Sequence, residues 1–215
     1  MSSNRPYKVW LIATLKGGVR KSTTAMFLAF VLAKRGRNVL VIDADSGTQG
    51  ITDWTSRVYA GGGGLPFDVV QWAPSIGVLV PFVTKKAAEI EPDIVIIDVG
   101  GEAPEVLKQA AILADAVVSP TGPEQAEVGR VGATQTLLNE EGIRTHVLLT
   151  RVPEPGKGAA RDVRRSLATA GYHVLESEVR QNRDMYSHVW GTEPDNYGVY
   201  ENVADELLAI EGTAA

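Results

Sequence analysis

The fold is decided by residues 9–24, which read VWLIATLKGGVRKSTT, and by the helical pattern that follows them. Val9-Trp-Leu-Ile-Ala13 is a continuous apolar run, which is typical of a strand covered on both faces of a sheet. Two adjacent glycines then predict a turn. Apolar side chains recur at helical spacing over residues 22–34, and Gly36 stands where such a helix is expected to stop. The stretch therefore predicts a strand, a turn and a helix in succession.

Apolar runs and helical patterns alternate along the rest of the chain. Further strands are predicted at 39–42, 94–97, 116–118 and 146–149, and further helices near 103–114, 124–140, 158–170 and 202–210. Such alternation predicts an α/β fold with a mostly parallel, twisted sheet and helices on both faces. Ligands of these sheets bind at the carboxyl ends of the strands. We therefore predict a single domain over residues 1–215, with its site at that edge.

Residues 16–23, which read KGGVRKST, have the composition that a phosphate-binding loop needs. Such a loop points backbone N–H groups and a helix N-terminus at the anion, and it places a lysine on the phosphates and a hydroxyl on Mg²⁺. Gly17 and Gly18 supply the tight backbone, Lys21 the charge and Ser22 the metal ligand. A glycine turn beside lysines is otherwise an ordinary solvated connection, but its place between a buried strand and a helix favours the phosphate role.

The general phosphate-loop pattern, Gly-x-x-x-x-Gly-Lys-Ser/Thr, is not met, because its glycine positions hold Leu15 and Arg20. The segment instead resembles the deviant Walker A motif, Lys-Gly-Gly-x-x-Lys-Ser/Thr, of the ParA/MinD family of P-loop ATPases, and especially its small, ParF-like members. The resemblance implies ATP and Mg²⁺ as cofactors. It also makes Lys16 the signature lysine, which in that family reaches across an ATP-sandwiched dimer. The implied nucleotide contacts in this loop are Lys16, Gly17, Gly18, Val19, Arg20, Lys21, Ser22 and Thr23, with Lys16 and Lys21 catalytic.

Arg20 departs from that family, in which most members have glycine immediately before the lysine. Its side chain either crowds the phosphates, points outward, or adds a guanidinium to the phosphate site, and its backbone is expected to need an angle that glycine tolerates better. We expect nucleotide binding to survive this change, and a site that Arg20 has closed is the alternative. Impaired hydrolysis, and hence a nucleotide sensor or pseudo-ATPase, is the alternative that Arg20 leaves open.

Asp43-Ala-Asp45 follows the second predicted strand, where the resemblance places the switch I motif, Asp-x-Asp-Pro. It implies that Asp45 positions the attacking water and that Asp43 supports the Mg²⁺ shell. Ser46 replaces the usual proline. Capping of a helix or formation of a turn is the alternative role for these two carboxylates.

Asp98 ends the apolar run at 94–97 and is followed by Val-Gly-Gly. This arrangement fits a Walker B strand whose aspartate holds Mg²⁺, often through water. Gly100 would let the next loop approach the γ-phosphate as a second switch. An aspartate at a strand end is also a common turn residue, but its coincidence with the phosphate loop favours the metal role.

Two loops after later strands are expected to contact the base or ribose. Pro120, Thr121 and Pro123 resemble the family's proline-rich loop beside the adenine, and Thr150 and Arg151 follow the next strand. Loops with proline and glycine are also ordinary connectors, so both assignments have that alternative.

The resemblance further implies three partners: a second copy of the chain with ATP bound, DNA bound without sequence preference, and a centromere-binding adaptor of the ParB type that stimulates hydrolysis. Binding to DNA phosphates needs a cluster of cations. The candidates are Lys157, Arg161, Arg164 and Arg165 on one predicted helix, with Arg180 and Arg183 as a second group. A charged helix face that is merely solvated is the alternative.

Composition limits the other classes of function. The chain has 44% hydrophobic residues and a net charge of −5, so we expect a soluble protein whose surface as a whole does not coat DNA, although a local basic patch remains compatible. With no cysteine and three scattered histidines, a disulfide framework is excluded and a zinc site is not expected. The apolar stretch from Val9 to Leu15 is too short to span a membrane, which predicts a cytoplasmic protein. The resemblance to DNA-binding ParA proteins implies that it associates with the nucleoid.

The leading hypothesis is a slow, Mg²⁺-dependent ATPase that segregates plasmid or chromosomal DNA. A positioning ATPase for another cargo, such as a protein compartment, fits the same sequence, because the adaptor reads the cargo. A membrane role is not expected, since the last predicted helix is acidic where a membrane-targeting helix would carry Lys or Arg. A small-molecule kinase or synthetase would need a second-substrate motif, and none is visible.

Overall fold

A seven-stranded sheet with all neighbouring strands parallel forms the centre of the protein. The computed structural model describes residues 5–139, 143, 145–153, 157–181 and 189–213. The strands are β1 (Lys8–Ile12), β2 (Val39–Ala44), β3 (Asp68–Gln71), β4 (Ile94–Val99), β5 (Ala116–Thr121), β6 (Thr145–Val152) and β7 (His173–Arg180). Their spatial order is β3-β2-β4-β1-β5-β6-β7. The predicted α/β class and parallel sheet are confirmed.

Helices occupy the connections between the strands. They are α1 (Lys21–Lys34), α2 (Gly50–Ala60), α3 (Leu79–Ile90), α4 (Pro104–Ala111), α5 (Gln125–Asn139), α6 (Lys157–Thr169) and α7 (Tyr200–Thr213), with a 3₁₀ turn at Pro74–Ile76. Within the described ranges, no helix is both long and apolar enough to cross a bilayer.

The apolar run of β1 is buried because both faces of the sheet are covered. Trp10 and Ile12 face the layer that contains α1 and α7, whereas Val9 and Leu11 face the layer that contains α3 and α4. Alternate side chains of a strand point to opposite faces, so a central strand with two covered faces must be apolar at every position.

Strands β3 and β7 were not predicted, and both lie at an edge of the sheet. Their side chains are partly exposed, so their sequences mix polar and apolar residues and lack the continuous run of a central strand. Helix α3 was also missed. It carries Pro81 in its first turn, where a missing N–H is tolerated but the sequence signal for a helix is weakened.

The topology brings the polar ends of three neighbouring strands together. Strand β1 lies between β4 and β5, and its carboxyl end continues into the loop before α1. Asp43 on β2 pairs in register with Asp98 on β4, and Ile12 of β1 is the partner of Asp98 on the other side. The phosphate loop and both aspartates therefore share one edge of the sheet.

Candidate nucleotide-binding site

The loop between β1 and α1 has the backbone shape of an anion-binding turn. Gly18 has φ +75° and Arg20 has φ +66°, both in the left-handed region. Helix α1 begins at Lys21, directly after Arg20, so the N–H groups of its first turn have no partners within the helix. Free N–H groups and the positive end of the helix dipole attract a phosphate, as the sequence predicted for this loop.

Lys21 lies over this loop. Its side chain is only 7% exposed, and its Nζ donates a hydrogen bond to the carbonyl oxygen of Lys16 at 2.9 Å. The ammonium group therefore sits inside the turn, held by a backbone oxygen that a phosphate oxygen can replace.

Ser22 and Asp98 meet at the bottom of the site. Ser22 Oγ donates to Asp98 Oδ2 at 2.6 Å, although 76 residues separate the two in the chain. Asp98 is fully buried, and its Oδ1 has no hydrogen-bond partner. Burial raises the pKa of Asp98 to about 7, against the lowering effects of the Ser22 hydrogen bond and the Lys21 charge.

These two residues fit a Mg²⁺ site. A carboxylate oxygen without a partner in a buried place is the kind of group that a hard cation satisfies, and a hydroxyl lies beside it. The described residues contain no cluster of three or more His, Cys, Asp or Glu side chains suited to a metal. That donor set suits Mg²⁺, which commonly takes one or two protein oxygens together with substrate phosphates and water.

Asp43 and Asp45 are both engaged in local hydrogen bonds. Asp43 is buried, and its Oδ2 accepts from the N–H and hydroxyl of Thr52 in the first turn of α2, at 2.8 and 2.7 Å. Burial raises its pKa, and the two bonds from Thr52 oppose that rise. Asp45 accepts from Gly47 N and from the N–H and hydroxyl of Thr48. The capping and turn roles considered for both residues are therefore present in this structure.

The loop after β4 packs directly on the phosphate loop. A Cβ on Gly101 would lie 2.5 Å from the carbonyl carbon of Lys16 and 2.7 Å from Gly17 N, and a Cβ on Gly100 would lie 2.8 Å from Asp45 Oδ1. Side chains at these two positions would push the loops apart. Glycine at both positions thus permits the close contact of this loop with Lys16 and Asp45, and the approach of Gly100 to a γ-phosphate stays a prediction.

Glu127, in the first turn of α5, is a site residue that the sequence did not reveal. Its side chain is fully buried, and Oε1 accepts hydrogen bonds from both Lys16 Nζ and Arg151 Nη2, while Oε2 accepts from Gly122 N. Burial alone would raise the pKa of Glu127, but Arg151, Lys16 and the Gly122 N–H together hold it below its usual value. Its partner Lys16 lies 111 residues away in the chain, so no local pattern in the sequence could have found it.

The residues expected beside the base lie next to the phosphate loop but are largely enclosed. Pro120 and Thr121 end strand β5 and are buried, and Thr121 Oγ1 has no hydrogen-bond partner. Thr150 Oγ1 is directed at the carbonyl oxygens of Val19 and Thr121, at 3.2 and 3.3 Å. Contact of the residues in these two loops with a base or ribose stays a prediction.

The amino-terminal half of α2 is held by a short segment before α7. Trp190 Nε1 donates to Asp53 Oδ2 at 2.8 Å, and the rings of Trp190 and Trp54 are 4.9 Å apart. The Trp190 ring also lies 3.4 Å from where a Cβ on Gly50 would stand, and that Cβ would be 3.1 Å from Ser22 Oγ. Segment 189–192 therefore borders the start of α2, which follows Asp43 and Asp45 in the chain.

A family model described as the CobQ/CobB/MinD/ParA nucleotide binding domain matches residues 10–187. The chain belongs to this family. The match begins in β1 and includes the phosphate loop, both aspartate-bearing strands and Glu127. The chain is therefore a nucleotide-binding protein of the ParA/MinD group of partition and positioning ATPases.

Two curated relatives and one solved structure show how this family member resembles others. It is 31% identical over 186 residues to Maintenance of carboxysome distribution protein A of Gloeobacter kilaueensis, covering 83% of this chain and 79% of that protein. It is 29% identical over 214 residues to Protein ParA of Rhizobium radiobacter, covering 96% and 93%. The fold is shared with cobyrinic acid a,c-diamide synthase of Mycobacterium smegmatis, solved with an ATP analog and magnesium, at a TM-score of 0.74, 19% identity and 97% coverage of each chain.

Arg20 stands where the resemblance leads us to expect glycine, and its backbone is left-handed, which is a conformation that glycine adopts readily. An L-residue adopts this conformation at a cost of about 1 kcal/mol. Arg20 Nη1 donates to the carbonyl oxygen of Arg180 at 3.4 Å, so the guanidinium is directed toward the end of β7. This contact is with the backbone of the protein, and the role of the guanidinium toward a phosphate stays a prediction.

The cations expected to bind DNA in this ParA/MinD protein are only partly at the surface. Arg161 and Arg165 are both exposed on α6, and Arg165 Nη2 lies 3.8 Å from Asp162 Oδ1. Arg164 instead turns to β7, where it donates to Leu175 O at 2.6 Å and to Glu178 Oε1 at 2.9 Å. Arg180 is exposed at the end of β7. Arg183 and the side chain of Lys157 lie outside the described residues.

Proposed function

We propose that this chain is a single-domain, Mg²⁺-dependent ATPase that acts as a dimerising switch in DNA segregation. In this cycle ATP binding drives the formation of a homodimer, and the dimer binds DNA without sequence preference on the nucleoid. A centromere-binding adaptor of the ParB type then stimulates slow hydrolysis and release. The similarity to Protein ParA supports this form of the function.

The observation that carries the proposal is the Ser22–Asp98 hydrogen bond beneath a phosphate loop that contains two lysines. Phosphoryl transfer depends mainly on positioning and on neutralising charge. Lys21 is directed into the loop, and Ser22 and Asp98 offer hard oxygens to Mg²⁺. Asp45, beside Gly100, is our candidate for positioning the attacking water once its turn contacts rearrange.

Dimerisation is supported by Lys16, the signature lysine, whose side chain is 34% exposed at the rim of the site. A second protomer that covers this rim would bring its phosphates within reach of that side chain. For DNA, the supported contacts are Arg161 and Arg165, since the guanidinium of Arg164 is occupied.

The testing experiment is titration calorimetry of Mg-ATP with the parent, Lys21→Ala and Arg20→Gly proteins, with mass followed by light scattering. The proposal predicts binding by the parent together with doubling of its mass, and loss of both in Lys21→Ala. Binding that returns only in Arg20→Gly would make the parent a pseudo-ATPase. Absence of binding in both the parent and Arg20→Gly would refute an ATPase.

A positioning ATPase for a protein compartment is the second candidate, and the similarity to a carboxysome distribution protein favours it. The two functions share the nucleotide cycle and differ in the adaptor. A dimer trapped by Asp45→Ala in Mg-ATP can serve as bait in extracts of the source cells, with the Lys21→Ala protein as the matched control. An adaptor that binds one DNA site supports segregation, and an adaptor that binds a protein shell supports the second candidate.

A further inference from the structure

Glu127 is bonded to two cations, Lys16, which the proposed function places at the dimer contact, and Arg151, which is expected beside the base or ribose. Its Oε1 accepts hydrogen bonds from Lys16 Nζ and Arg151 Nη2, and its Oε2 accepts from Gly122 N. The carboxylate is fully buried, whereas the side chains of Lys16 and Arg151 are about one-third exposed. One buried anion therefore determines where two surface-reaching cations lie.

The backbone around Lys16 leaves only its side chain free to move. The neighbouring Leu15 N donates to Thr134 Oγ1 at 3.1 Å, and Lys16 O accepts from Lys21 Nζ at 2.9 Å. The close approach of Gly101 blocks a shift of the backbone toward β4. The direction of the Lys16 ammonium is thus set by its bond to Glu127, which belongs to the same protomer.

We propose that Glu127 is a positioning residue that holds Lys16 within its own protomer until the phosphates of an ATP-bound partner replace the carboxylate. This inference rests on the proposed ATP-dependent dimer and specifies how its formation is regulated. Without a partner, Lys16 is paired to Glu127. When an ATP-bound partner is present, Lys16 leaves the Glu127 carboxylate and binds the phosphates of the partner's ATP.

The exchange is feasible because Glu127 does not become unpaired when Lys16 leaves. Arg151 and the Gly122 N–H remain bonded to the carboxylate, so the buried charge stays compensated. Breaking the Lys16 bond nevertheless opposes dimerisation. Removing the negative charge of Glu127 should therefore favour the dimer, provided that Lys16 is present.

The first test is the chemical reactivity of Lys16 in the nucleotide-free parent. Brief acetylation followed by peptide mass spectrometry compares Lys16 with Lys85, which is exposed on α3. We expect Lys16 to react about tenfold more slowly than Lys85, and about tenfold faster in Glu127→Gln than in the parent, which is the size of a typical coupling between sites. Equal rates for Lys16 and Lys85 in the parent would overturn the inference without any variant.

The second test is a double-mutant cycle on dimerisation in Mg-ATP, with sedimentation of the parent, Glu127→Gln, Lys16→Ala and the double variant. Glu127→Gln should tighten the dimer about tenfold in the presence of Lys16 and leave it unchanged in the Lys16→Ala background. Glu176→Gln, an exposed change on β7, is the matched control. Equal tightening in both backgrounds would contradict the inference, because Lys16 would then not be the group released.

The two tests separate this inference from the proposed function. A parent that dimerises with Mg-ATP but is unaffected by Glu127→Gln would retain the proposed function and lose the inference. A parent that does not dimerise would lose the proposed function, and the acetylation result would still decide whether Glu127 holds Lys16. Thermal melting of each variant checks folding, and if Glu127→Gln does not fold, the comparison of Lys16 with Lys85 in the parent protein decides the inference by itself.

Discussion

Ser22 and Asp98 are joined by a hydrogen bond of 2.6 Å that connects the first turn of α1 to the end of β4. The remaining carboxylate oxygen of Asp98 is buried without a partner. This pair makes the phosphate loop and the adjacent strand a single unit before any ligand arrives. Its geometry explains why the two residues should act together on Mg²⁺ and not independently.

Ser22→Ala should weaken ATP binding in the presence of Mg²⁺ by about ten- to a hundredfold, because it removes one of two oxygens offered to the metal. Calorimetry with Mg²⁺ and with EDTA measures this directly. The difference between parent and variant should disappear in EDTA. Ser56→Ala, on the exposed face of α2, is the control. An equal loss with and without Mg²⁺ would show that Ser22 acts on the loop and not on the metal.

Gly101→Ala should abolish nucleotide binding, because its Cβ would lie 2.5 Å from a backbone atom of Lys16 and the phosphate loop would have to move. Gly64→Ala is the matched control, since no atom lies within 4 Å of a Cβ at that position. Binding of a fluorescent ATP analogue compares the two variants. Parent-like affinity in Gly101→Ala would mean that the two loops separate freely.

Arg20→Gly should be more stable than Arg20→Ala by about 1 kcal/mol, because both remove the guanidinium and only glycine adopts the left-handed backbone without strain. Urea unfolding of the two variants isolates the backbone contribution. Equal stability would show that the loop adjusts to a side chain at no cost.

Arg161 and Arg165 should contribute to DNA binding, whereas Arg164 should contribute to the stability of the fold. The double variant Arg161→Ala/Arg165→Ala should weaken DNA binding in Mg-ATP. It should also make the slope of log K against log salt concentration shallower, by the equivalent of up to about two phosphate contacts. Its melting temperature should be unchanged. Arg164→Ala should instead cost about 2 kcal/mol of stability, because its guanidinium bonds Glu178 and two carbonyl oxygens of β7. Unchanged DNA binding in the double variant would show that DNA does not bind to this face of α6.

Glu127 should contribute stability that depends on pH in a defined direction. Its pKa is lower in the folded protein than in the unfolded chain, so its contribution is full above the unfolded value and is lost as pH falls through the folded value. The stability difference between parent and Glu127→Gln should therefore be largest near neutral pH and shrink in acid. Unfolding by urea at several pH values measures it, with Glu176→Gln as control. A constant difference would mean that the carboxylate is not the stabilising form.

Much of the site could be predicted because its parts lie close together in the sequence or at strand ends. The β1 strand, the loop with Lys21 and Ser22, and the helix after it follow one another within 30 residues, and Asp98 ends a second apolar run. Parallel strands with covered faces have a strong apolar signal, and their carboxyl ends converge. Local pattern and topology were sufficient for these residues.

Glu127 could not be predicted, because its role depends on tertiary contacts. It lies 111 residues from Lys16 in the chain, and nothing around it forms a motif. The direction of Arg164 escaped prediction for a similar reason, since its partners are on β7, an edge strand whose sequence gave no clear signal. Helical spacing indicates which residues share a face, but only packing decides whether that face is solvated.

The contact of Trp190 with Asp53 and Trp54 gives the protein an optical reporter of its own. Indole emission responds to the polarity and hydrogen bonding around the ring, and this ring touches the helix that follows Asp43 and Asp45. Trp10 and Trp72 are also buried, and because Trp72 N donates to Asp43 O at 2.9 Å, Trp72→Phe removes a second indole close to these aspartates. If α2 moves when nucleotide binds, stopped-flow fluorescence of the unlabelled chain can therefore time that movement, at a position where an attached dye would disturb the packing.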